Sequence, residues 1–447
     1  MWQTKEKIPF FILSIAFSII TLIAQPDHSA VKVYPLALRL ANALIAFITY
    51  LEKTFWPFNL AVFYPFPMQI NLWQIFGSLM VIIIITLLVI SRVKSLPQIF
   101  VGWFWYSIMI LPVIGIIPVG IHAMADRYHY LSSIGLAVML AWGIPDLFKR
   151  EGFRKKLSFT AGIAFLAIMG LLAKQQCSYW ENSSTLFSHA LQSTKNNYFA
   201  HDGLGIALRE EGKIREAIEQ FSKAITTAPD YLVPYVNRGN AYEKIGQYQK
   251  AMDDYNKVIS IKSTDSVAYH NRAVVYLKSG QYDLALQDLN KAVFYKPDNA
   301  ETFNRRAYAY ERLGHYQKAI EDYSHATQLK EDYAEAYNSR GILYGILGQY
   351  QSAIEDFNKA IKFKDNYADA YNNRGFTYYK LGQNQRAIED YNRAILLKSD
   401  YADAYRNRAV VYLQQGNSRL GFLDAQKLCL LGNCEMLKSA TKRRYCR

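Results

Sequence analysis

One set of residues suited to chemistry stands between two apolar runs in the first part of the chain. Asp126 and Arg127 are followed by Tyr128 and Tyr130. An arginine guanidinium can hold a phosphate through two charge-assisted hydrogen bonds, and tyrosines are common where a membrane meets water. The four residues are therefore candidates for binding a lipid-linked phosphate. The alternative is structural, with Asp126 and Arg127 paired at the start of a helix.

A second set recurs in the latter part of the chain. Its members are asparagines that each precede an arginine by one position: Asn237, Asn271, Asn373 and Asn407. A side-chain amide both donates and accepts, so a row of amides can bind the main chain of a peptide without reading its sequence. Arg305 and Ser339 interrupt the row at equivalent positions. The alternative is that asparagine is merely tolerated there as a surface residue.

The cysteines and histidines do not indicate metal chemistry. No Cys/His set has the spacing of metal ligands, so we assign neither a metal nor a catalytic residue. Three of the four cysteines lie near the C-terminal end: Cys429, Cys434 and Cys446. In an oxidising compartment a bridge between Cys429 and Cys434 would fix the last helix. The alternative is that these thiols stay unpaired.

The elements that must position the first set are long apolar segments. Four of them lack Asp, Glu, Lys and Arg and approach or exceed the length that crosses a membrane as a helix: Ile8–Ala24, Leu72–Ile90, Pro97–Gly120 and Leu157–Ala173. A fifth, Tyr128–Pro145, carries one histidine. A sixth, Tyr34–Leu51, contains Arg39 and therefore lies at the interface or crosses as a sixth span. We predict a polytopic module over residues 1–175.

Positive charge orients this module. The run from Lys149 to Lys156 is the strongest basic loop, which places it in the cytoplasm. Counting spans from there puts Asp126, Arg127 and the C-terminal half on the other side of the membrane. We therefore predict a multi-pass integral membrane protein. Its C-terminal half lies in the periplasm, beyond a bacterial inner membrane, or in the lumen of the endoplasmic reticulum if the source is eukaryotic.

The C-terminal half repeats with a period of 34 residues. Glycines mark the period without a slip: Gly212, Gly246, Gly280, Gly314, Gly348, Gly382 and Gly416. Each copy carries two amphipathic stretches, and copies of this length resemble tetratricopeptide (TPR) repeats, which bury their core by stacking. We predict a linker at 176–196, seven TPR repeats at 197–434 and a basic tail at 435–447. The fold class is all-α, a transmembrane helical module followed by a TPR solenoid.

Charged residues recur with the same period. An arginine and an aspartate 16 residues apart appear in six copies, from Arg238 and Asp254 to Arg408 and Asp424. This recurrence predicts structural ion pairs between adjacent helices. The net charge of +14 does not indicate nucleic-acid binding, because the basic residues alternate with acidic ones or flank apolar segments. The partners we expect are a peptide or protein on the concave face of the repeats and the lipid bilayer.

Two stretches of the membrane half resemble a known family. One is Tyr50–Pro65, with Lys-Thr-Phe-Trp-Pro-Phe at its centre, and the other is Ala125–Gly135, with Asp-Arg-Tyr-His-Tyr-Leu-Ser-Ser. Both are similar to later membrane segments of bacterial GT-C-type glycosyltransferases with C-terminal TPRs and of transmembrane-and-TPR protein O-mannosyltransferases. Ser132 stands where that family has a proline. The asparagine row is similar to that of O-GlcNAc transferase TPRs.

The resemblance implies transfer of a sugar from a polyprenyl-phosphate donor to protein on the non-cytoplasmic face. The family's catalytic acids lie in an earlier extracytoplasmic loop, and the first loop here offers only Asp27. We therefore expect the acceptor-binding portion of such an enzyme, incomplete alone, and either truncated or completed by an upstream-encoded membrane subunit. The alternative, which needs no catalysis, is a membrane TPR scaffold for assembling an envelope complex.

Overall fold

The structure is a computed structural model, and it describes residues 34–67, 70–114, 122–124, 130–147 and 153–438. The chain divides into two compact units, Met1–Ile245 and Gly246–Arg447. The first unit contains the apolar helices and the first of the amphipathic helix pairs. In the second unit the structure describes amphipathic helices of the 34-residue period, up to residue 438.

The apolar helices that the structure describes in the first unit are α1 (Leu36–Phe55), α2 (Leu72–Ser91), α3 (Pro97–Ile110), α4 (Tyr130–Leu147) and α5 (Phe153–Ser178). Two short strands, β1 (Tyr64–Pro65) and β2 (His122–Met124), pair antiparallel, so the unit is not purely helical. The core of the apolar helices is aromatic, since Tyr50, Trp103 and Tyr106 are all buried.

Helices α3 and α4 approach closely at two glycines. A methyl group added to Gly102 would lie 2.4 Å from the carbonyl oxygen of Gly135, and one added to Gly135 would lie 2.4 Å from that of Gly102. Because a real Cβ atom does not come this near to a backbone oxygen, only glycine at both positions permits the crossing. The backbones of α3 and α4 are therefore in direct contact at these two glycines.

Within the described residues, α2 is the one helix long and apolar enough to cross a membrane. Shorter apolar helical stretches occur at Leu131–Ala141 and Gly162–Ser178, and α3 ends in a 3-10 turn that contains Pro112. The predicted polytopic module is therefore not supported beyond α2. The predicted span Ile8–Ala24 lies outside the described residues.

The amphipathic helices of the first unit are α6 (Ser183–Ser193), α7 (Tyr198–Glu210), α8 (Ile214–Thr227) and α9 (Val233–Lys244). Helix α6 lies inside the segment that we predict as a linker, 176–196, and it packs against α7. Phe187 of α6 lies against Gly203 of α7, where an added methyl group would be 2.5 Å from its ring. The helical stack therefore begins before the first full repeat.

The helices of the second unit within the described residues are α10 (Tyr248–Ile261), α11 (Ser266–Lys278), α12 (Tyr282–Tyr295), α13 (Ala300–Arg312), α14 (Tyr316–Leu329), α15 (Ala334–Ile346), α16 (Tyr350–Phe363), α17 (Ala368–Lys380), α18 (Asn384–Leu397), α19 (Ala402–Gln414) and α20 (Ser418–Leu430). The two helices of a repeat are joined at the periodic glycine. Gly348, for example, has φ +73°, a left-handed conformation that glycine adopts cheaply. Small residues such as Ala353 and Gly341 let the helices meet around Phe357.

Candidate functional site

The periodic arginines form ion pairs and hydrogen bonds within the repeats. Arg340 on α15 donates from Nε to Asp356 Oδ2 at 2.8 Å and from Nη2 to Oδ1 at 2.7 Å, and the aspartate side chain is only 5% exposed. Its Nη1 also donates to Ser324 Oγ of the preceding repeat at 2.8 Å. The same two-bond geometry joins the other pairs: Arg272–Asp288, Arg306–Asp322, Arg374–Asp390 and Arg408–Asp424.

These arginines also lie over aromatic rings of their own helix. The guanidinium of Arg340 is 5.5 Å from the centre of the Tyr337 ring and 5.9 Å from that of Tyr344. Each arginine therefore joins its own second helix, the preceding repeat and one or two aromatic rings. The predicted structural ion pairs are confirmed for these five repeats, and their role is to fix how the helices stack.

Asparagines of the predicted row also form hydrogen bonds within the protein. Asn373 Nδ2 donates to Asn338 Oδ1 at 3.1 Å, and Asn407 Nδ2 donates to Asn372 Oδ1 at 3.0 Å. In the first unit Asn237 Nδ2 donates to Asp202 Oδ1 at 2.9 Å. Each acceptor is buried and belongs to the first helix of the preceding repeat. The row thus ties consecutive first helices together, which sequence reasoning missed.

Part of each amide remains for a ligand. A primary amide offers two N–H donors and one oxygen acceptor, and the bond to the preceding repeat uses one donor. Asn373 and Asn407 are half-buried, and their amide oxygens accept no hydrogen bond from any residue that the structure describes. Asn271, the remaining predicted member, is half-buried on α11. The asparagines could therefore bind the main chain of a peptide, with their amides already oriented by hydrogen bonds to the preceding repeat.

The two interruptions of the row carry different chemistry. Arg305 donates from Nη2 to Glu301 Oε1 at 3.1 Å, one turn earlier on the same helix. Ser339 lies beside the buried Tyr323, whose hydroxyl donates to Glu311 Oε2 at 2.9 Å. Both positions therefore keep polar groups in line with the asparagines. We name the side of α13, α15, α17 and α19 that carries these four positions the asparagine face: Arg305, Ser339, Asn373 and Asn407.

Apolar side chains follow the row one helical turn later. Phe376 comes three residues after Asn373 and Tyr308 three residues after Arg305, which places them on the same side of their helices. Both are exposed, at 44% and 37%. Acidic residues occupy the first turns of these helices and basic ones the last turns, as the helix dipole favours. The asparagine face combines amides for main chain with apolar surface for side chains.

Asp202 is the exception among the three acceptors, because it is a carboxylate, whereas Asn338 and Asn372 are amides. It is 4% exposed. Burial raises its pKa to about 6, although the hydrogen bond from Asn237 and the charge of Arg209 act in the opposite direction. Desolvation of the charged form outweighs one amide donor, so this position is sensitive to pH.

The first predicted set lies almost entirely outside the described residues. Asp126, Arg127 and Tyr128 fall between the end of β2 and the start of α4, and Tyr130 is the first residue of α4. Their binding of a lipid-linked phosphate stays a prediction. The strand pairing nevertheless sets Tyr64, which belongs to the first stretch that carries the family resemblance, opposite Met124, the residue before the second stretch.

A loop after α1 packs on the first repeat, which sequence reasoning also missed. Asn197 caps α7 by accepting from Ala200 N at 2.9 Å, and its Nδ2 donates to the carbonyl oxygen of Phe63 at 3.0 Å. The ring of Phe63 stacks on Phe199 with centroids 4.4 Å apart. The apolar run Leu60–Phe63, standing outside every predicted span, was the available signal. The loop binds the apolar helices to the first repeat.

The end of the stack is closed by a disulfide. Cys429, in α20, and Cys434, beyond it, are bonded with Cα atoms 4.0 Å apart. The sequence left open whether these cysteines are bridged or unpaired, and the structure shows them bridged. Within the described residues, no group of three or more His, Cys, Asp or Glu side chains is placed to hold a metal ion.

Comparison with protein families identifies the repeats. A model described as "TPR repeat" matches residues 205–246, 275–314, 313–348, 344–382 and 377–416. Two models described as "Tetratricopeptide repeat" match residues 234–265 and 254–287. The C-terminal half is thus a TPR array, as the 34-residue period predicts.

Curated relatives are similar over part of the chain. The chain is 27% identical over 135 residues to "Protein O-mannosyl-transferase Tmtc3" of Drosophila melanogaster, which covers 30% of this chain and 14% of that protein. It is 30% identical over 120 residues to "Protein O-mannosyl-transferase TMTC3" of Homo sapiens, covering 27% and 13%. The match spans about one seventh of these relatives, so their activity is not transferred to this chain by similarity alone.

Solved structures with a similar fold are TPR proteins. "YrrB: a TPR protein with an unusual peptide-binding site" is 25% identical, covers 42% of this chain and 97% of its own, and has a TM-score of 0.38. A tetratricopeptide repeat protein from Parabacteroides merdae is 23% identical, covers 55% and 99%, and has a TM-score of 0.44.

Proposed function

We propose that this chain is a membrane-anchored TPR protein that binds an extended peptide or protein segment on the asparagine face. The observation that supports the proposal is the row of asparagine amides, in which one N–H donor of each amide is bonded within the protein and the other polar groups remain for a ligand. Asn373 and Asn407 are each oriented by a bond to the preceding repeat and keep an oxygen and a second N–H at a half-exposed surface. A net bond to peptide main chain is worth about 0.5–1.5 kcal/mol, so several must act together.

The spacing of the row sets the length of the ligand. Packed helices lie roughly 8–10 Å apart, so consecutive first helices offer one row position about every 10 Å. An extended chain rises about 3.3 Å per residue, which gives about three residues per repeat. A peptide that reaches from Arg305 to Asn407 therefore needs about ten residues. Shorter peptides should lose affinity in steps as row positions are left unused.

A double substitution with a matched control tests the face. A random 12-residue peptide library displayed on phage is selected against the full chain in detergent, and a selected peptide is synthesised with a fluorescent label. Asn373→Ala with Asn407→Ala should weaken its binding about tenfold. The control is Asn358→Ala with Asn392→Ala, which removes two asparagines of the second helices that accept hydrogen bonds from Arg374 and Arg408 of the following repeats. Equal affinity of both double variants, with helicity retained, would remove the asparagine face from the proposal.

The membrane anchor is proposed from α2 and its neighbours. The apolar side chains of α2 are exposed almost throughout, and Val89 is its buried residue. A multi-pass arrangement, with Asp126 and Arg127 on the same side as the repeats, is supported by two contacts. β2 pairs with β1, and the loop that contains β1 contacts the first repeat through Asn197. Alkaline phosphatase fusions after residues 68, 94 and 196 would test it, with activity expected only at the first and last.

We further propose that the chain is the acceptor-binding portion of a GT-C-like protein O-glycosyltransferase. Support comes from the two resembling stretches and from the similarity to the Tmtc3 proteins. In this proposal a polyprenyl-phosphate sugar is the donor, Asp126 and Arg127 hold its phosphate, and an upstream-encoded membrane subunit supplies the catalytic acid. Glycan analysis of secreted proteins with and without the gene tests it. Unchanged glycans would favour the alternative, a non-enzymatic TPR scaffold for an envelope complex.

A further inference from the structure

We propose that the ligand of the asparagine face is a peptide in the polyproline II conformation with a basic side chain at every third residue. This inference rests on the proposed function, because it names the class of peptide that the face would bind. Two features of the second unit select this class: the rows of side chains that flank the asparagine face, and the distance between neighbouring first helices.

The row on one flank is acidic. In each of α13, α15, α17 and α19 a carboxylate precedes the asparagine-face position by four residues, which places it one turn earlier on the same side of the helix. All four carboxylates are exposed. A ligand that crosses these four consecutive repeats therefore passes one carboxylate in each. The members of this acidic row are Glu301, Glu335, Asp369 and Asp403.

The row on the other flank is apolar. It lies three residues after the asparagine-face position, one turn later on the same side of each helix. Each first helix therefore presents a carboxylate, then a polar hydrogen-bonding group, then an apolar side chain. A peptide that crosses the helices over the middle row has acidic groups on one flank and apolar groups on the other. The members of this apolar row are Tyr308, Ile342, Phe376 and Val410.

The carboxylates of the acidic row remain open to further donors. Glu301 Oε1 accepts from Arg305 at 3.1 Å, and Glu335 Oε1 accepts from Lys364 at 2.8 Å, yet the two acidic side chains are 54% and 52% exposed. A carboxylate offers about four acceptor sites, and exposed ion pairs contribute little to stability. A basic group of a ligand can therefore share or replace these partners. The partners of the other two carboxylates are Tyr401, at Asp369, and Arg406, at Asp403.

The distance between first helices selects the conformation of the ligand. Asn373 Nδ2 donates to Asn338 Oδ1 at 3.1 Å, so two short side chains bridge consecutive first helices. Helices in such contact lie roughly 8–10 Å apart. A polyproline II helix has three residues per turn and rises about 3.1 Å per residue, so one turn covers about 9 Å. One turn of such a ligand therefore matches one repeat.

A β-strand does not match the repeats in this way. Its side chains alternate between two sides, so a step of three residues brings the opposite side to the next repeat. Polyproline II keeps the same side toward every repeat. It also has no internal hydrogen bonds, which leaves its main chain to the amides of Asn373 and Asn407. Of the three residues in each turn, one faces the acidic row, one faces the apolar row and the third faces solvent.

Synthetic peptides of one composition test the period. The first consists of four copies of Pro-Lys-Leu and the second of four copies of Pro-Leu-Lys, so that both chain directions are tried. The third contains the same residues with the lysines at irregular spacing. Each carries a fluorescent label, and anisotropy with the full chain in detergent, against empty micelles as the blank, gives its affinity. We expect one of the two periodic peptides to bind about tenfold more tightly than the irregular one.

A pair of substitutions locates the contact. Glu335→Gln with Asp369→Asn removes two carboxylates of the acidic row and should abolish the preference for the periodic peptide, because its lysines lose their partners. The control is Glu355→Gln with Glu389→Gln, which removes two exposed carboxylates from the second helices of the same two repeats. The control should keep the preference.

Replacing the prolines tests the conformation. A peptide with Gly in place of each Pro keeps the lysines and their period but is no longer preorganised as polyproline II. We expect it to bind about threefold more weakly than its parent. Equal affinity of the two would remove the polyproline II conformation from the proposal.

The remaining outcomes separate this proposal from the proposed function. Equal or undetectable binding of the three peptides of one composition would overturn the class of ligand, and so would a preference that survives Glu335→Gln with Asp369→Asn. The phage-selected peptide then decides about the face itself. If that peptide loses affinity in Asn373→Ala with Asn407→Ala, the asparagine face binds peptides of another class. If its affinity is unchanged, the proposed function fails as well.

Discussion

The repeats and the membrane-proximal helices are held together by contacts of different kinds. In the second unit the arginine pairs join residues 16 apart, and the asparagine bonds join residues 35 apart. In the first unit Tyr106 binds a carbonyl 59 residues away, and Asn197 binds one 134 residues away. A repeat copies a few local contacts many times, whereas the membrane-proximal part depends on contacts that occur once. Substitutions should therefore act differently in the two regions.

The largest effect is expected from breaking one copied ion pair. Asp322→Ala leaves the guanidinium of Arg306 beside an apolar side chain, since Asp322 accepts both of its bonds at 2.7 Å. Removing one partner of a buried pair costs about 3–5 kcal/mol. Thermal denaturation of the full chain followed by circular dichroism should show a clearly lowered melting temperature.

The control for this pair is its exposed neighbour. Glu321→Ala should change the melting temperature little, because Glu321 is exposed on the same helix. Equal effects of the two substitutions would mean that the ladder of ion pairs does not stabilise the repeats.

A single contact in the first unit should be nearly as sensitive. Gly102→Val places two methyl groups against the carbonyl oxygen of Gly135, so α3 and α4 must separate. Overpacking of this kind costs about 1–3 kcal/mol. Proteolysis of the detergent-solubilised chain should become faster. Gly77→Val is the control, because an added Cβ there meets no atom within 4 Å, and rapid proteolysis of both variants would deny the close crossing.

The bond between the loop and the first repeat should have an intermediate effect. Asn197→Ala removes a helix cap and leaves the carbonyl oxygen of Phe63 without its donor, an expected cost of about 2 kcal/mol. Asn182→Ala removes only a cap, from α6, and should cost about 1 kcal/mol. Urea denaturation of the full chain compares the two. Identical midpoints would show that the loop contributes nothing to the first repeat.

The smallest effect, and the only stabilising one, is expected at Asp202. Its pKa of about 6 in the fold lies above the usual value near 3.8, so the protonated form stabilises the fold. That stability is complete below pH 3.8 and is lost as pH rises through 6. Asp202→Asn recreates the amide pair of Asn338 with Asn373. It should raise the free energy of unfolding by about 1 kcal/mol at pH 7.5 and by nothing at pH 4. A gain that is the same at both values would contradict the titration of Asp202.

Sequence reasoning worked best where one contact recurs. The position of the periodic glycines and the ion pairs of the repeats could be predicted, because six copies at one spacing leave few geometries. It was least successful in predicting the hydrogen-bond partners of individual side chains. The asparagines were expected either to bind a ligand or to be tolerated surface residues. Asn373 and Asn407 instead donate to the preceding repeat, a contact between residues 35 apart that a 34-residue period does not reveal.

The sequence by itself determined the TPR array, since stacking is the only way for amphipathic pairs of this period to bury their apolar sides. It also determined that α2 is apolar enough for a membrane, since 20 residues without charge suffice for that. Only the tertiary structure decided what meets the start of α1 and what holds the first repeat. Those answers depend on Tyr34 meeting Phe66 and on Phe63 meeting Asn197, contacts that no local pattern encodes because each brings together residues that are distant in the chain.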